Sequence, residues 1–320
     1  MVTAARSIWR LASDAVSSYV DDYALSMGAA LAYYTMFSLA PMLLIVIAVA
    51  GLVFGEQAAQ GAVVEELRAL MGPEGAQATE ALLQGFSRPA EGIAGTLIGV
   101  AVLLIGATTV FAELQSALDR IWRAPARKKT SGLWALLRAR LLSFGLILAL
   151  GFLIIVSLLL NAALAALGQV WGPMLEGWDR LVKAIDFALS FGMITVGFAL
   201  IYKFMPRVHI GWRDVWVGAI VTALLFTLGK SLIGLYIGTA GLGTAFGAAG
   251  SLVIVLVWVY YSAQIFLLGA EFTWVYAHEY GSRRGQPRPR PEQDDPQVET
   301  PQRSPPAAPS ERWSARRGHD

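Results

Sequence analysis

The residues able to do chemistry in this chain are few, and the most ordered of them stand on one apolar segment near the C-terminal end. Tyr260, Gln264 and Glu271 are spaced i, i+4 and i+11. At 100° per residue these positions fall at about 0°, 40° and 20°, so a helix presents them as one polar stripe. Near the start of the chain Tyr34, Ser38 and Pro41, with Tyr33 beside them, form a second narrow face. Pro41 has no N–H and so releases the carbonyl of Phe37 from its helical bond. Thr109 and Glu113 make a third pair at i, i+4, and Lys230 is a lone cation inside another apolar run. Groups of this kind either line a polar cavity for a charged or amphipathic solute or hydrogen-bond neighbouring helices.

Covalent and metal chemistry find no such pattern. There is no cysteine, and His209, His278 and His319 are scattered without ligand spacing. No paired carboxylates, nucleophile elbow or zinc-protease motif appears. Gly229-Lys230-Ser231 lacks the glycine that a phosphate loop needs five residues earlier, where Leu224 stands. The expectation is no catalytic residue, no metal and no cofactor.

The elements that must carry these residues are membrane helices. Hydrophobic residues make up 56% of the 320, and charged residues only 15%, against about 25% in a soluble domain. Uncharged blocks of bilayer length, roughly 20 residues, predict spans at about 31–54, 92–112, 141–167, 185–204, 214–237 and 251–276. The fold class is therefore all-α, a polytopic membrane protein with six transmembrane helices. The first apolar run is too long for a signal peptide and is read as a retained helix. Lysine and arginine set the orientation. With both termini in the cytoplasm, 20 of the 25 basic residues fall inside, leaving Arg68, Arg88, Arg180, Lys183 and Lys230 outside. That bias predicts N-in/C-in.

Residues 1–22 show apolar residues at i, i+3 and i+4 and are expected to form a cytoplasmic amphipathic helix, on the inner leaflet or on neighbouring loops. The acidic segment 56–91 reads as an outer loop of two short helices around Gly72–Pro73, with Val63, Val64, Leu67, Leu70 and Met71 on one apolar face and Ala81, Leu82 and Phe86 on the next. It either rests on the bundle or forms a lid. Gly92, Gly95, Gly99 and Gly106, and again Gly234 and Gly238, have spacings that permit close helix approach. Gly238, Gly241, Gly243, Gly247 and Gly250 form an uncharged connection, read as a flexible re-entrant segment or a plain hairpin. Residues 281–320, rich in proline and arginine, are expected to be a disordered cytoplasmic tail.

Four blocks carry a family resemblance: ALAYYTMFSLAPMLLIVIAVAGLVFG from Ala30, ELQSALDRIW from Glu113, YKFMPRVHIGWRDVWVGAIVTALLFTLGKSLIGLYIG from Tyr202, and FGAAGSLVIVLVWVYYSAQIFLLGAEFTWVYA from Phe246. In this order they resemble the YihY/BrkB family of bacterial inner-membrane proteins, once mislabelled ribonuclease BN. The resemblance implies a six-helix membrane fold with virulence association, and transport of lipid-like or other amphipathic molecules. The nuclease label fits poorly, since no acidic metal cluster is visible in the sequence. The leading expectation is a transporter or flippase-like protein for a lipid-like or amphipathic envelope molecule, with a non-transporting scaffold or assembly factor as the rival. Expected partners are membrane lipids, such a substrate and further copies of the chain, not nucleic acid. Reporter fusions after residues 125 and 300 should both read as cytoplasmic; opposite readings would overturn the topology.

Overall fold

In the computed structural model the described residues are 2–86, 109–125, scattered positions between 145 and 166, 178–241, 245–246 and 249–286, and all regular structure among them is helical. The chain divides into a unit of Met1–Arg288 and a second of Pro289–Asp320. The expected spans 92–112 and 141–167 lie largely outside the described residues, as do Gly92, Gly95, Gly99, Gly106 and the tail beyond 286.

Helix α1, Val2–Asp21, is the predicted amphipathic helix. Leu11, Ala15 and Tyr19 turn into the main core, and α1 packs on the last helix of the unit. Trp9, Val16 and Val20 stay exposed on a second face, within about 40° of one another. Tyr23, left-handed at φ 57°, reverses the chain into α2, Ala24–Phe54. This helix has no charged residue over its 31 positions and bends by 48° between Leu39 and Met42. The bend falls where Pro41 breaks the hydrogen-bond ladder.

Only Gly55, at φ 86°, links α2 to α3, Glu56–Phe86. So short a link folds α3 back along α2. The segment is two helices broken at Gly72 (φ 79°) before Pro73, as expected. It packs against α2 and two later helices. Ala59, Val63 and Leu83 join Ile47 and Ala50 of α2 in one apolar cluster. Its second half departs from the expected face: Ala81 is exposed, and Ala76, Ala78 and Leu83 are buried instead. The side chain of Phe86 is outside the described residues.

Helix α4 covers 109–121. Three more follow: α5, Trp178–Phe204; α6, Trp212–Thr239; and α7, Gly250–Glu279. Each of these is long and apolar enough to cross a membrane, and the two halves of the bent α2 make a fourth when taken as one span. They match the expected spans 185–204, 214–237, 251–276 and 31–54.

Glycine–threonine exchange brings α6 and α7 together. A Cβ on Gly218 would lie 1.8 Å from Thr273 Oγ1, and one on Gly269 would lie 2.0 Å from Thr222 Oγ1. Each threonine hydroxyl donates to its own helix, Thr222 to Gly218 O at 2.7 Å and Thr273 to Gly269 O at 2.6 Å. The same hydroxyl oxygen, with its Cβ behind it, fills the partner's glycine notch. Tyr202 of α5, fully buried, joins the crossing by donating to Phe266 O at 2.8 Å, 3.0 Å from Thr222 Oγ1.

The expected packing pair Gly234 and Gly238 does not serve this purpose. A Cβ added to Gly234 would meet no foreign atom within 4 Å, and one on Gly238 would meet only Glu74, at 3.7 Å. Gly218→Ala should therefore destabilise the protein in detergent by about 1–3 kcal/mol through overpacking. Gly234→Ala should be neutral or mildly stabilising through helix propensity. Thermal unfolding of both variants checks the contrast.

Candidate functional site

The polar stripe of α7 faces the turn between α1 and α2. The Tyr19 hydroxyl of α1 donates to Gln264 Oε1, and Gln264 Nε2 donates to Leu25 O at 3.4 Å. Gly28 of α2 makes room for this amide, because a Cβ there would sit 2.2 Å from Nε2. Burial first, and the neighbouring Tyr260 second, push the Tyr19 hydroxyl up to about 12. It therefore remains a donor at neutral pH. Tyr260 itself is at the exposed margin, Gln264 is half-buried and Glu271 is fully buried.

Two turns further along the helix, Glu271 meets residues that the sequence reading did not single out. Asp22, at the end of α1, is fully buried and makes an ion pair with Arg123, just after α4. Arg123 also donates to Arg120 O at 2.9 Å, and its guanidinium lies over the Trp274 ring, 5.2 Å from the centroid. The Glu271 carboxyl, one turn before Trp274 on the same helix, interacts with the charges of Asp22 and Arg123. Yet Asp22 Oδ1 and both Glu271 carboxyl oxygens have no donor. One cation thus serves two buried acids. Backbone strain gathers here as well. Tyr23 (φ 57°) and Arg123 (φ 50°) are the non-glycine residues at positive φ among those described, and such residues cost roughly 1–2 kcal/mol each. Both flank this cluster. Asp21–Asp22 at the mouth of an uncharged run was the available signal, and Arg123 was hidden among the topological basic residues.

The block Glu113–Trp122 positions Arg123 by tying α4 to the α5–α6 connection. Gln115 Nε2 donates to Met205 O at 3.0 Å. Asp119 accepts from the Arg207 backbone N–H at 2.9 Å and pairs with its guanidinium at 3.2 Å. Burial raises the Asp119 carboxyl, and Arg207 works against that. Lys203 Nζ donates to Ile210 O at 2.6 Å and lies over Trp212. Buried Asp214 accepts from Ser282 N at 3.1 Å and Oγ at 2.6 Å, while Arg283 donates to His209 O and covers Trp122. These basic residues make specific bonds besides marking one end of the bundle.

The remaining candidates are not gathered into this site. Tyr33 and Tyr34 are exposed and stack edgewise on each other, with Phe37 against Tyr33. Ser38 is buried and donates to Tyr34 O at 2.9 Å, within its own helix. Pro41 stands at the bend of α2. Thr109 opens the described part of α4, and Glu113 is half-buried on it, roughly 15 Å of helix from Arg123. Lys230 reaches α3, where its ammonium donates to Ala69 O at 3.3 Å. That carbonyl is in the last turn before the Gly72 break, so the cation caps a helix C-terminus. It also opposes the rise that burial imposes on the Glu66 carboxyl. Gly241 is left-handed at φ 61° and Gly250 is buried; Gly243 and Gly247 lie outside the described residues. No group of three His, Cys, Asp or Glu able to hold a metal occurs among the described residues.

Comparison with known proteins agrees with this architecture. The family model described as "Virulence factor BrkB" matches residues 15–294. A UPF0761 membrane protein of Pseudomonas aeruginosa is 29% identical over 255 residues, 79% of this chain and 59% of its own. One from Verminephrobacter eiseniae is 31% identical over 195 residues, 60% of this chain and 43% of its own. One from Psychromonas ingrahamii is 33% identical over 184 residues, 56% of each chain. The chain thus spans about three fifths or less of the length of these relatives. No solved structure matches it. With at least three helices of membrane length among the described residues and a family model matching residues 15–294, the chain belongs to the BrkB family and is an integral membrane protein.

Proposed function

We propose that this protein moves a lipid-like or amphipathic envelope molecule across the bacterial inner membrane, with both termini in the cytoplasm and without a catalytic step or cofactor of its own. The observation that carries the reading is the buried cluster of Asp22, Arg123 and Glu271. Ionisable groups on a membrane helix are costly, and where they persist they mark a pathway or relay by default. A cation held between two acids can exchange partners, which suits a route for a polar headgroup through an apolar bundle. Gln264, Tyr19 and Tyr260 continue the polar path along α7.

A scaffold that transports nothing is the second reading. It is favoured by Thr222 and Thr273, whose hydroxyls donate within their own helices while filling the α6–α7 crossing, so that those polar groups serve helix packing. Membrane lipids are expected partners on either reading, and self-association belongs to the second.

Purified protein in liposomes should accelerate the exchange of labelled phospholipid between leaflets. Glu271→Gln should lower that rate roughly tenfold, the factor equivalent to about 1.4 kcal/mol, without reducing the amount of folded protein. Silent wild-type liposomes together with recovery of one stable crosslinked partner would select the scaffold.

A further inference from the structure

The carboxyl groups of Asp22 and Glu271 face each other although each, when ionised, only accepts hydrogen bonds. Both are fully buried, each acts on the other's charge, and the guanidinium that Asp22 holds lies over Trp274, one turn along α7 from Glu271. Three of their four oxygens have no donor; the fourth, Asp22 Oδ2, takes Arg123. Arg123 neutralises one charge of the two. Two buried carboxyl groups that share one cation can bond to each other only when something positive stands between them, and the smallest such species is a proton.

Among the described residues no second cation stands at the pair, and the buried donors Arg123 Nε, Trp122 Nε1 and Trp274 Nε1 make no hydrogen bond to it. From α1 the neighbouring titratable groups are Asp21, which adds to the repulsion, and Tyr19, which is committed to Gln264. From α7 they are Tyr260, beside Tyr19, and His278, whose Nδ1 is 2.8 Å from Trp274 O. Helix α2 contributes no charged residue. Arg120 lies over Tyr23, and Arg283 lies over Trp122. Arg123 is therefore the cation at the pair.

We propose that Asp22 and Glu271 form a proton-binding site, with one proton shared as O–H···O between the two carboxyl groups, and that its occupancy holds α1 against α7. When the proton leaves to water, two carboxylates remain opposite a single guanidinium, and the like charges drive the end of α1 off α7. No covalent bond changes and no co-reactant is needed. The turn is suited to such a movement, because both segments bearing the cluster end in strained left-handed residues, Tyr23 and Arg123. As the coupling step of a transporter the site rests on the transport reading; as a binding site it is measurable without transport.

The chain contains no cysteine, so single reporters have no background. Ala15→Cys places a thiol on the buried face of α1, and Ser13→Cys on its exposed face. Full-length protein in liposomes is labelled with a maleimide, and the Ala15→Cys rate is divided by the Ser13→Cys rate to remove the intrinsic pH dependence of thiols. Between about pH 5 and pH 10, a span that covers documented buried carboxyls, the ratio should rise at least about fivefold. In Glu271→Gln, which keeps the shape and removes the titrating proton, the ratio should stay flat. Infrared difference spectra of the unmodified protein should lose a protonated-carboxyl C=O band as the pH rises, so the site is testable even where Glu271→Gln does not fold.

A flat ratio with no such band overturns the proposal, as does an equal rise in Glu271→Gln. A rise that follows sodium concentration and not pH replaces the proton by a metal cation and also overturns it. A pH-dependent ratio in liposomes that move no lipid keeps the proton site and removes the transport reading. Lipid movement without the band or the ratio change does the reverse.

Discussion

The close approach of α6 and α7 is the constraint on which the rest of the described fold depends. Two glycines and two threonines set it, each threonine filling the notch left by a glycine on the other helix. Lipid offers apolar side chains no reason to prefer protein over solvent, so packing of this kind and internal hydrogen bonds must hold the helices. Tyr202 fastens α5 to the same crossing. Once α7 is fixed in rotation, the direction of its polar stripe is fixed as well. Gln264 and Glu271 can then only face α1 and the beginning of α2.

That orientation explains where the electrostatics concentrate. The acidic end of α1 and the basic end of α4 pair with each other beside Glu271, with Trp274 beneath the guanidinium. Nearby, α4 uses Gln115 and Asp119 to hold the α5–α6 connection, and Asp214 anchors the turn after α7 through Ser282. One end of the bundle is therefore built from charged and polar bonds. Lys230 at the C-terminus of the first half of α3 is a smaller example elsewhere.

Much of the architecture was legible from residue types. Bilayer length and missing charge located α2, α5, α6 and α7, whereas the bend at Pro41 emerged from the structure. The stripe Tyr260–Gln264–Glu271 was readable because helical spacing is local information. Its partners were not, because Asp22 and Arg123 are distant in sequence and look like ordinary boundary charges. The glycine reading failed in an instructive way. Gly234 and Gly238 have the spacing for close packing but face outward, whereas Gly218 and Gly269 pack tightly with no such spacing between them. Spacing says which residues share a face, and only the neighbouring helix decides whether that face is used. The same applies to Ala81, which local periodicity assigned to a buried face that Ala78 and Leu83 occupy. Most of the two remaining expected spans and the tail beyond 286 fall outside the described residues, while the tail's first residues, expected to be disordered, are tied down through Ser282 and Arg283 to Asp214 and His209.

Helix α1 has apolar residues on two opposite sides. Leu11, Ala15 and Tyr19 hold it to the bundle, and Trp9, Val16 and Val20 look away from it. With Arg6 and Arg10 on the same helix, the outward side has the composition of a segment that settles among headgroups. A rod gripped by protein on one flank and by lipid on the other is sensitive to lateral pressure and to the surface charge of its leaflet. Leaflet composition would then act as an input to the fold, competing with the bundle for the same short helix.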